Sequence, residues 1–310
     1  MSLRRMLITG GTGLLGKHLL ETAPAGWTVF ATSHHRPPPD EWLDRFLPLE
    51  LRDAASIQQV FESVRPSVVI HTASIGSVDE AECHPELAHA VNVEGTQGIG
   101  NACVTYGSRL VFISSNAVFD GRHPPYDEAA PLQAVNRYGA LKIEAERWIR
   151  QDGPPHALVI RPLLLYGWPL PGGRDNTVTR WLRQLEAGRS VEAAEDIYSM
   201  PLYAENCSQV IWAAVRQRRT GTYHVAGADH LSLLAFARLT ARAFGYDERR
   251  VAGVTSARLG MAARRPTDTS FVTVKMEREL GVRPLGVAEG LAIMQERRAA
   301  AAPKVACKSC

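Results

Sequence analysis

MLITGGTGLLG, residues 6–16, is the stretch on which the fold turns. Met6 to Thr9 suit a buried strand, and they run at once into Gly10, Gly13 and Gly16, three glycines at three-residue spacing, followed by an apolar helix. A helix that begins just beyond a strand presents free N–H groups and the positive end of its dipole to an anion. Glycines there permit the tight turn, the close approach of backbone to ligand and the packing of helix on strand. The stretch predicts a strand–loop–helix unit that cradles a dinucleotide pyrophosphate, with Gly10, Thr12, Gly13, Leu14, Leu15 and Gly16 around it.

Outward from this unit, short apolar runs alternate with stretches of helical spacing. MLIT, WTVFAT, FLPLE, SVVIHTA, RLVFIS and ALVIRP read as strands, and helices are expected over residues 14–23, 54–64, 85–106 and 137–151. That rhythm predicts an α/β fold built on a doubly wound parallel sheet. After Tyr166 the loop residues Gly167, Pro169, Pro171, Gly172 and Gly173 open a region of different character. The expected organisation is a dinucleotide-binding domain over 1–165 and a smaller C-terminal substrate-binding region over 166–310. The two interleave, because the segment 202–226 carries YHVAG, a candidate returning strand.

Composition narrows the class. In 310 residues, 35 Lys and Arg against 32 Asp and Glu leave a formal charge of +3, far below that of a dedicated nucleic-acid binder. Five widely spaced cysteines are not a disulfide framework and fit a reducing cytoplasm. Cys307 and Cys310 have CxxC spacing without a second pair, and the ten histidines are scattered, so no metal site is expected. The N-terminus does not read as a signal peptide, and no apolar run is long enough to span a bilayer.

The end of the second strand reads ATSHHRPPPD, with Ser33, His34 and Arg36 where an acid would grip the ribose hydroxyls of NAD. Arg36 can pair with a 2′-phosphate and Ser33 can donate to it, which favours NADPH while still admitting NADH. The fifth strand ends in Ser114, Ser115 and Asn116, hydroxyls placed where such a sheet faces its ligand. Tyr138 and Lys142 are four apart in NRYGALKIEAERW, hence on one helix face. A phenol is a sluggish acid–base group until a neighbouring positive charge stabilises its phenolate, and Lys142 is expected to lower its pKa. Arg216, Arg218 and Arg219 read as a solvated helix end.

With these residues in place the chain resembles the extended short-chain dehydrogenase/reductase family, whose fold is a Rossmann sheet. The resemblance is to the dTDP-4-dehydrorhamnose reductase-like subfamily, which includes the regulatory β subunit of methionine adenosyltransferase. It rests on TGGTGLLG, VDEAECHPELAHAVNVEGT, ISSNAVFDG, PPYDEAAPL, YGALK, VIRPLLLYG and RRPTDTSF. It implies a cytoplasmic NAD(P)-dependent oxidoreductase of carbohydrate biosynthesis that reduces a keto group on a nucleotide sugar, with room for a homodimer and no nucleic-acid or membrane partner.

By position it implies Ser115 as the catalytic hydroxyl, Tyr138 as proton donor and Lys142 on the nicotinamide ribose. Leu51 falls in the adenine pocket, Ala73 beside the cofactor, Arg161 and Pro162 near the nicotinamide, and Asn92 in a supporting place. Arg264 and Arg265 fall at the pocket rim, where they can fork onto a diphosphate. Trp168 either lines the sugar pocket or covers the core. Asn116 and Ala117 stand where the subfamily has Asp and Tyr, and Glu50 where an Asp commonly touches adenosine; these departures mark an altered substrate pocket. The competing functions are a nucleotide-binding regulatory subunit without turnover and a sugar-nucleotide epimerase.

Overall fold

The structure is a computed structural model, and it describes residues 4–301. The Cys307–Cys310 pair lies outside the described residues. The strands β1 (Arg4–Thr9), β2 (Trp27–Ser33), β3 (Phe46–Pro48), β4 (Val68–His71), β5 (Arg109–Ile113) and β6 (Leu158–Pro162) join a later strand, Gly221–Val225. Together they form a seven-stranded sheet of order 3-2-1-4-5-6 with Gly221–Val225 beyond β6. Every pairing in it is parallel.

The reason is visible in the period of two along each strand. Met6 and Ile8 of β1 pack on one face with Val68, Ile70, Val111, Ile113, Leu158 and Ile160. Leu7 goes to the other face with Val69, Leu110, Phe112 and Val159. A sheet that is apolar on both faces needs a helical layer on each. Helices α1 (Leu14–Glu21) and α8 (Ala204–Arg216) cover the first face, and α2 (Ala54–Val64), α5 (Gly95–Tyr106) and α6 (Arg137–Gln151) the second. Each fully buried Leu, Ile or Val contributes about 1.5–3 kcal/mol, so the two clusters dominate the stability of the sheet.

Helix α2 spans the expected residues 54–64, capped by Asp53, whose carboxylate accepts from the Ala55 N–H. Helix α6 likewise occupies 137–151. The long helix expected over 85–106 is continuous but carries a π-type turn: α4 (Pro85–His89) runs through Ala90–Glu94 into α5. A further short helix, α3 (Val78–Cys83), precedes it, capped by Ser77.

Beyond β6 the chain builds a third cluster from α7 (Thr177–Glu186), α9 (Leu233–Ala243) and α11 (Val287–Ala301), centred on Tyr166, Trp181, Phe236 and Leu291. Between α9 and α11 lies α10 (Val274–Leu280), whose Met276 and Leu280 pack into the first cluster. No described helix is long and apolar enough to cross a membrane.

Candidate active site

Strand order reverses between β1 and β4, and the crevice at such a point receives ligands in open α/β sheets. The glycine loop lies there. Gly10 has φ +72°, and a Cβ on it would lie 2.9 Å from the Ala73 backbone after β4. A Cβ on Gly16 would lie 2.3 Å from the Gly10 carbonyl oxygen, which explains why the loop and α1 pack as closely as they do. The Gly13 N–H donates to the Gly10 carbonyl at 2.9 Å and the Gly11 N–H to the Thr32 carbonyl at 2.9 Å. Gly13 caps α1 without a side chain. Its first-turn amides are the kind of donor set that takes a pyrophosphate, so Gly10, Thr12, Gly13, Leu14, Leu15 and Gly16 fit a dinucleotide.

Behind the loop, Thr9 Oγ1 bonds His71 Nδ1 at 2.7 Å and accepts from the Ala73 N–H at 3.2 Å. Leu51 is buried in the core cluster beside Gly95.

At the end of β2, tertiary structure brings Glu50 beside Ser33 and His34. Leu49 N–H donates to the Ser33 carbonyl, and the next residue, Glu50, sets its carboxylate 3.0 Å from His34 Nε2. Hydrogen bonds from Arg52 hold the Glu50 carboxyl down at about 2, so it is an anion at any ordinary pH. Glu50, the residue set where an Asp commonly touches adenosine, thus stands beside the end of β2. Arg36 reaches across the loop, with Nη1 3.5 Å from the Thr12 carbonyl.

Beyond β5 the chain turns at Ser115, whose Oγ accepts from the Ala117 N–H at 3.1 Å and donates to Asn116 Oδ1 at 3.3 Å. Asn116 Nδ2 donates to Thr269 Oγ1 at 2.6 Å, drawing in the C-terminal region. Ala117 is buried with Tyr138 and Leu141, so its methyl supports the tyrosine ring. Tyr138 stands in the first turn of α6, capped by Asn136, whose Oδ1 accepts from the Gly139 N–H at 2.9 Å. Gly139 is dictated by closeness: a Cβ there would lie 2.0 Å from the Ala117 carbonyl oxygen.

Ser115, Tyr138 and Lys142 are thus brought together at the carboxyl end of the sheet, all buried. Burial pushes the Tyr138 phenol up to about 12, against the opposing effects of the Ser115 hydroxyl and the Arg174 charge. Lys142 is pushed down to about 8 by burial, with Glu146 opposing. Its Nζ donates to the Ile113 carbonyl at 3.0 Å and sits 5.8 Å from the Tyr138 ring centre. Desolvation is thus the largest influence on the phenol, ahead of the Ser115 hydroxyl and the Arg174 charge. A high pKa keeps the phenol protonated at neutral pH, which suits a proton donor.

The site's support is a buried network the sequence did not announce. Tyr138, Lys142 and Glu146 recur every fourth residue along α6, and that ladder was the available signal for Glu146. Glu146 takes two bonds from Arg161, Nε to Oε1 at 2.9 Å and Nη2 to Oε2 at 2.6 Å, and a third from Ser114 Oγ at 2.5 Å. Arg161 Nη1 donates to His224 Nε2 at 3.1 Å, so His224 carries its proton on Nδ1 and donates it to the Tyr126 carbonyl. Burial, with Arg161 beside it, holds His224 down at about 3 and hence neutral. Arg161 is spent on this network, and the adjoining Pro162, also buried, ends β6. Asn92 is likewise committed, accepting from the Ile75 N–H and donating to the Ile75 carbonyl.

The remaining candidates divide. Trp168 donates its indole N–H to the Met294 carbonyl at 2.7 Å and packs on Phe244, which places the ring on the C-terminal core. Arg265 is paired with Asp79 at 2.9 Å, while Arg264 is exposed and lends its carbonyl to Asn136. Arg174, exposed in the Pro- and Gly-rich loop before α7, acts on the phenol by its charge and carried no sequence signal.

Comparison with known proteins places this geometry. The model of the family described as RmlD substrate binding domain matches residues 4–299. The dTDP-4-dehydrorhamnose reductase of Streptomyces griseus is 31% identical over 272 residues, 84% of this chain and 83% of that protein. Methionine adenosyltransferase 2 subunit beta of Xenopus tropicalis is 29% identical over 282 residues, 89% of this chain and 82% of that protein. The crystal structure of dTDP-4-dehydrorhamnose reductase from Bacillus anthracis in complex with NADP superposes with a TM-score of 0.82 at 26% identity, covering 95% of this chain and 99% of that one.

Proposed function

This chain belongs to the RmlD substrate binding domain family, and from that premise we propose that it is an NADPH-preferring reductase of a keto group on a nucleotide-linked sugar, a 4-keto-6-deoxy sugar being the best candidate. The observation that carries the reading is the convergence of Ser115, Tyr138 and Lys142 beside the glycine loop at the carboxyl end of one parallel sheet. A bound reduced nicotinamide supplies the hydride that the carbonyl carbon accepts. Ser115 holds the carbonyl oxygen, and Tyr138 transfers its phenolic proton to that oxygen as the hydride arrives. The phenolate then recovers a proton from solvent, and Lys142, released from Ile113, holds the ribose and steadies the phenolate by charge. In this reading residues 1–165, with the returning segment near 202–226, hold the cofactor, and the C-terminal region around α7, α9 and α11 closes over the sugar.

The test is oxidation of NADPH by the full chain with a panel of nucleotide 4-keto sugars. Turnover on at least one is expected, and none on any member with either cofactor overturns the reading. A second reading is favoured by the Xenopus relative, whose name is that of a subunit. A stoichiometric partner on co-purification, without turnover, selects it.

The preference for NADPH rests on Arg36 beside the loop, and it acts against the Glu50 anion, which Arg52 partly neutralises. Arg36→Ala is expected to weaken NADPH by about tenfold, the scale of one charge-assisted hydrogen bond, and to leave NADH nearly unchanged. Equal loss for both in a binding titration removes Arg36 from phosphate recognition.

Specificity for the sugar is assigned to Asn116, with Thr269 behind it. Asn116→Asp, which restores the charge the subfamily carries there, should raise kcat/KM for dTDP-4-dehydrorhamnose by about tenfold, the scale on which hydrogen-bonding groups discriminate. If steady-state kinetics show no change, and the unmodified chain already reduces that sugar efficiently, the departure at Asn116 is neutral. Ala117→Tyr is a different experiment: a ring forced into the packed cluster beside Tyr138 should cost about 1–3 kcal/mol of stability, read from denaturant unfolding.

A further inference from the structure

The opposite, amino-terminal edge of the sheet holds a cavity of about 630 Å³ that the proposed reaction does not use. Its walls come from separate elements: Arg4 and Trp27 at the starts of β1 and β2, Arg109 at the start of β5, His156 before β6, and Arg216 and Arg218 at the end of α8. Strand register assembles them, since Arg4 pairs with Trp27 across β1 and β2, and Val68, another lining residue, pairs with Arg109 across β4 and β5. Strands of this length put the cavity roughly 15–20 Å from the glycine loop.

Four arginines line it and no carboxylate does. Among the described residues none of the four forms an ion pair, whereas Arg219 next door bonds Gln217 and the Glu279 carbonyl, as a helix-end arginine would. Arg216 and Arg218 are exposed at and just beyond the end of α8, as expected of a solvated helix end, whereas Arg219 is half-buried and tied down by those bonds. Arg109 is the sharpest case. Its Nη2 is buried with no acceptor among the described residues, and burial together with the charge of Arg218 pushes its pKa down. A half-buried guanidinium facing like charges is costly until an anion joins it. Trp27, Val68 and Val215 give the same cavity an apolar wall.

We propose that this cavity is a second binding site, for a small organic phosphate whose anionic group is forked by Arg109, Arg218 and Arg4 and whose flat apolar part lies against Trp27 and Val215. Guanidinium geometry matches phosphate oxygens in pairs, which is why arginine rather than lysine suits the task. The inference does not depend on the reaction proposed for the carboxyl edge.

The test is calorimetric titration of the full chain, held at saturating NADP+ so that the glycine loop is not available, with inorganic phosphate, pyrophosphate, a nucleoside monophosphate and the corresponding free nucleoside. Saturable binding is expected for the phosphates, tightest for the nucleoside monophosphate, with none for the free nucleoside. Arg109→Met and Arg218→Asn should each weaken it about ten- to hundredfold, the scale of a lost charged hydrogen bond. Arg242→Ala, remote and paired with Glu248, should leave it unchanged. Should Arg109→Met fail to fold, the exposed Arg218→Asn and Arg4→Ser carry the test. Absence of saturable phosphate binding, or binding indifferent to these arginines, overturns the proposal. So does binding of an acidic peptide by a chain that takes none of the phosphates, which would assign the arginines to a protein partner.

Discussion

Tyr138→Phe is expected to lower turnover of an accepted keto sugar by roughly 10²- to 10⁴-fold while leaving cofactor binding and folding intact, the range for a lost general acid. The substitution removes one oxygen from a ring that is otherwise held by packing against Ala117 and Leu141, so the cluster that seats it survives. The phenol is protonated at neutral pH because burial raises its pKa to about 12, and phenylalanine has no proton to give in its place. Single-turnover measurement with bound NADPH separates the chemical step from binding. A rate near that of the unmodified protein would show that another group or a water delivers the proton, and the mechanism proposed for Ser115, Tyr138 and Lys142 would fall.

Glu146→Gln is expected to destabilise the protein by about 3–5 kcal/mol, the cost of breaking a buried ion pair while one partner stays charged. Arg161 and Glu146 are 1% and 0% exposed, so water cannot replace the lost carboxylate. An amide in its place can accept on one oxygen only, whereas the carboxylate takes two bonds from Arg161 and one from Ser114. The effect should reach the site as well. Glu146 is the charge that opposes the depression of Lys142, so its loss should carry the lysine below about 8 and leave more of it neutral near physiological pH. Denaturant unfolding reads the first effect, and a downward shift of the basic limb of the pH–rate profile reads the second. A loss of stability under 1 kcal/mol would mean that the network relaxes around an uncharged partner.

The two edges of the sheet show how differently fold and site were written. Alternation of Met6, Leu7 and Ile8, repeated in β4 and β5, determined a strand apolar on both faces, and with it the helical layers and the parallel order. Gly10 and Gly16 determined the loop, because a Cβ on either would collide with the Ala73 or Gly10 backbone. The four-residue spacing of Tyr138 and Lys142 determined that they share a face. All of these are short-range facts, governed by sterics and by the periods of helix and strand, and they are legible from a few residues at a time.

What only the tertiary structure decided involves charge and distance along the chain. Glu50 reaches His34 because β3 lies beside β2, Asn116 reaches Thr269 across 153 positions, and Arg161 finds Glu146 and His224 on two other elements. The state of Lys142 and Tyr138 was also beyond local reading, since burial, which depends on every surrounding layer, outweighs the neighbouring charge. The arginines at the amino edge are scattered from position 4 to 218 and become one cavity only through strand register. Periodicity sets which face a residue takes, but the energy of a charge is set by what the rest of the chain packs around it, and that is a property of the fold as a whole.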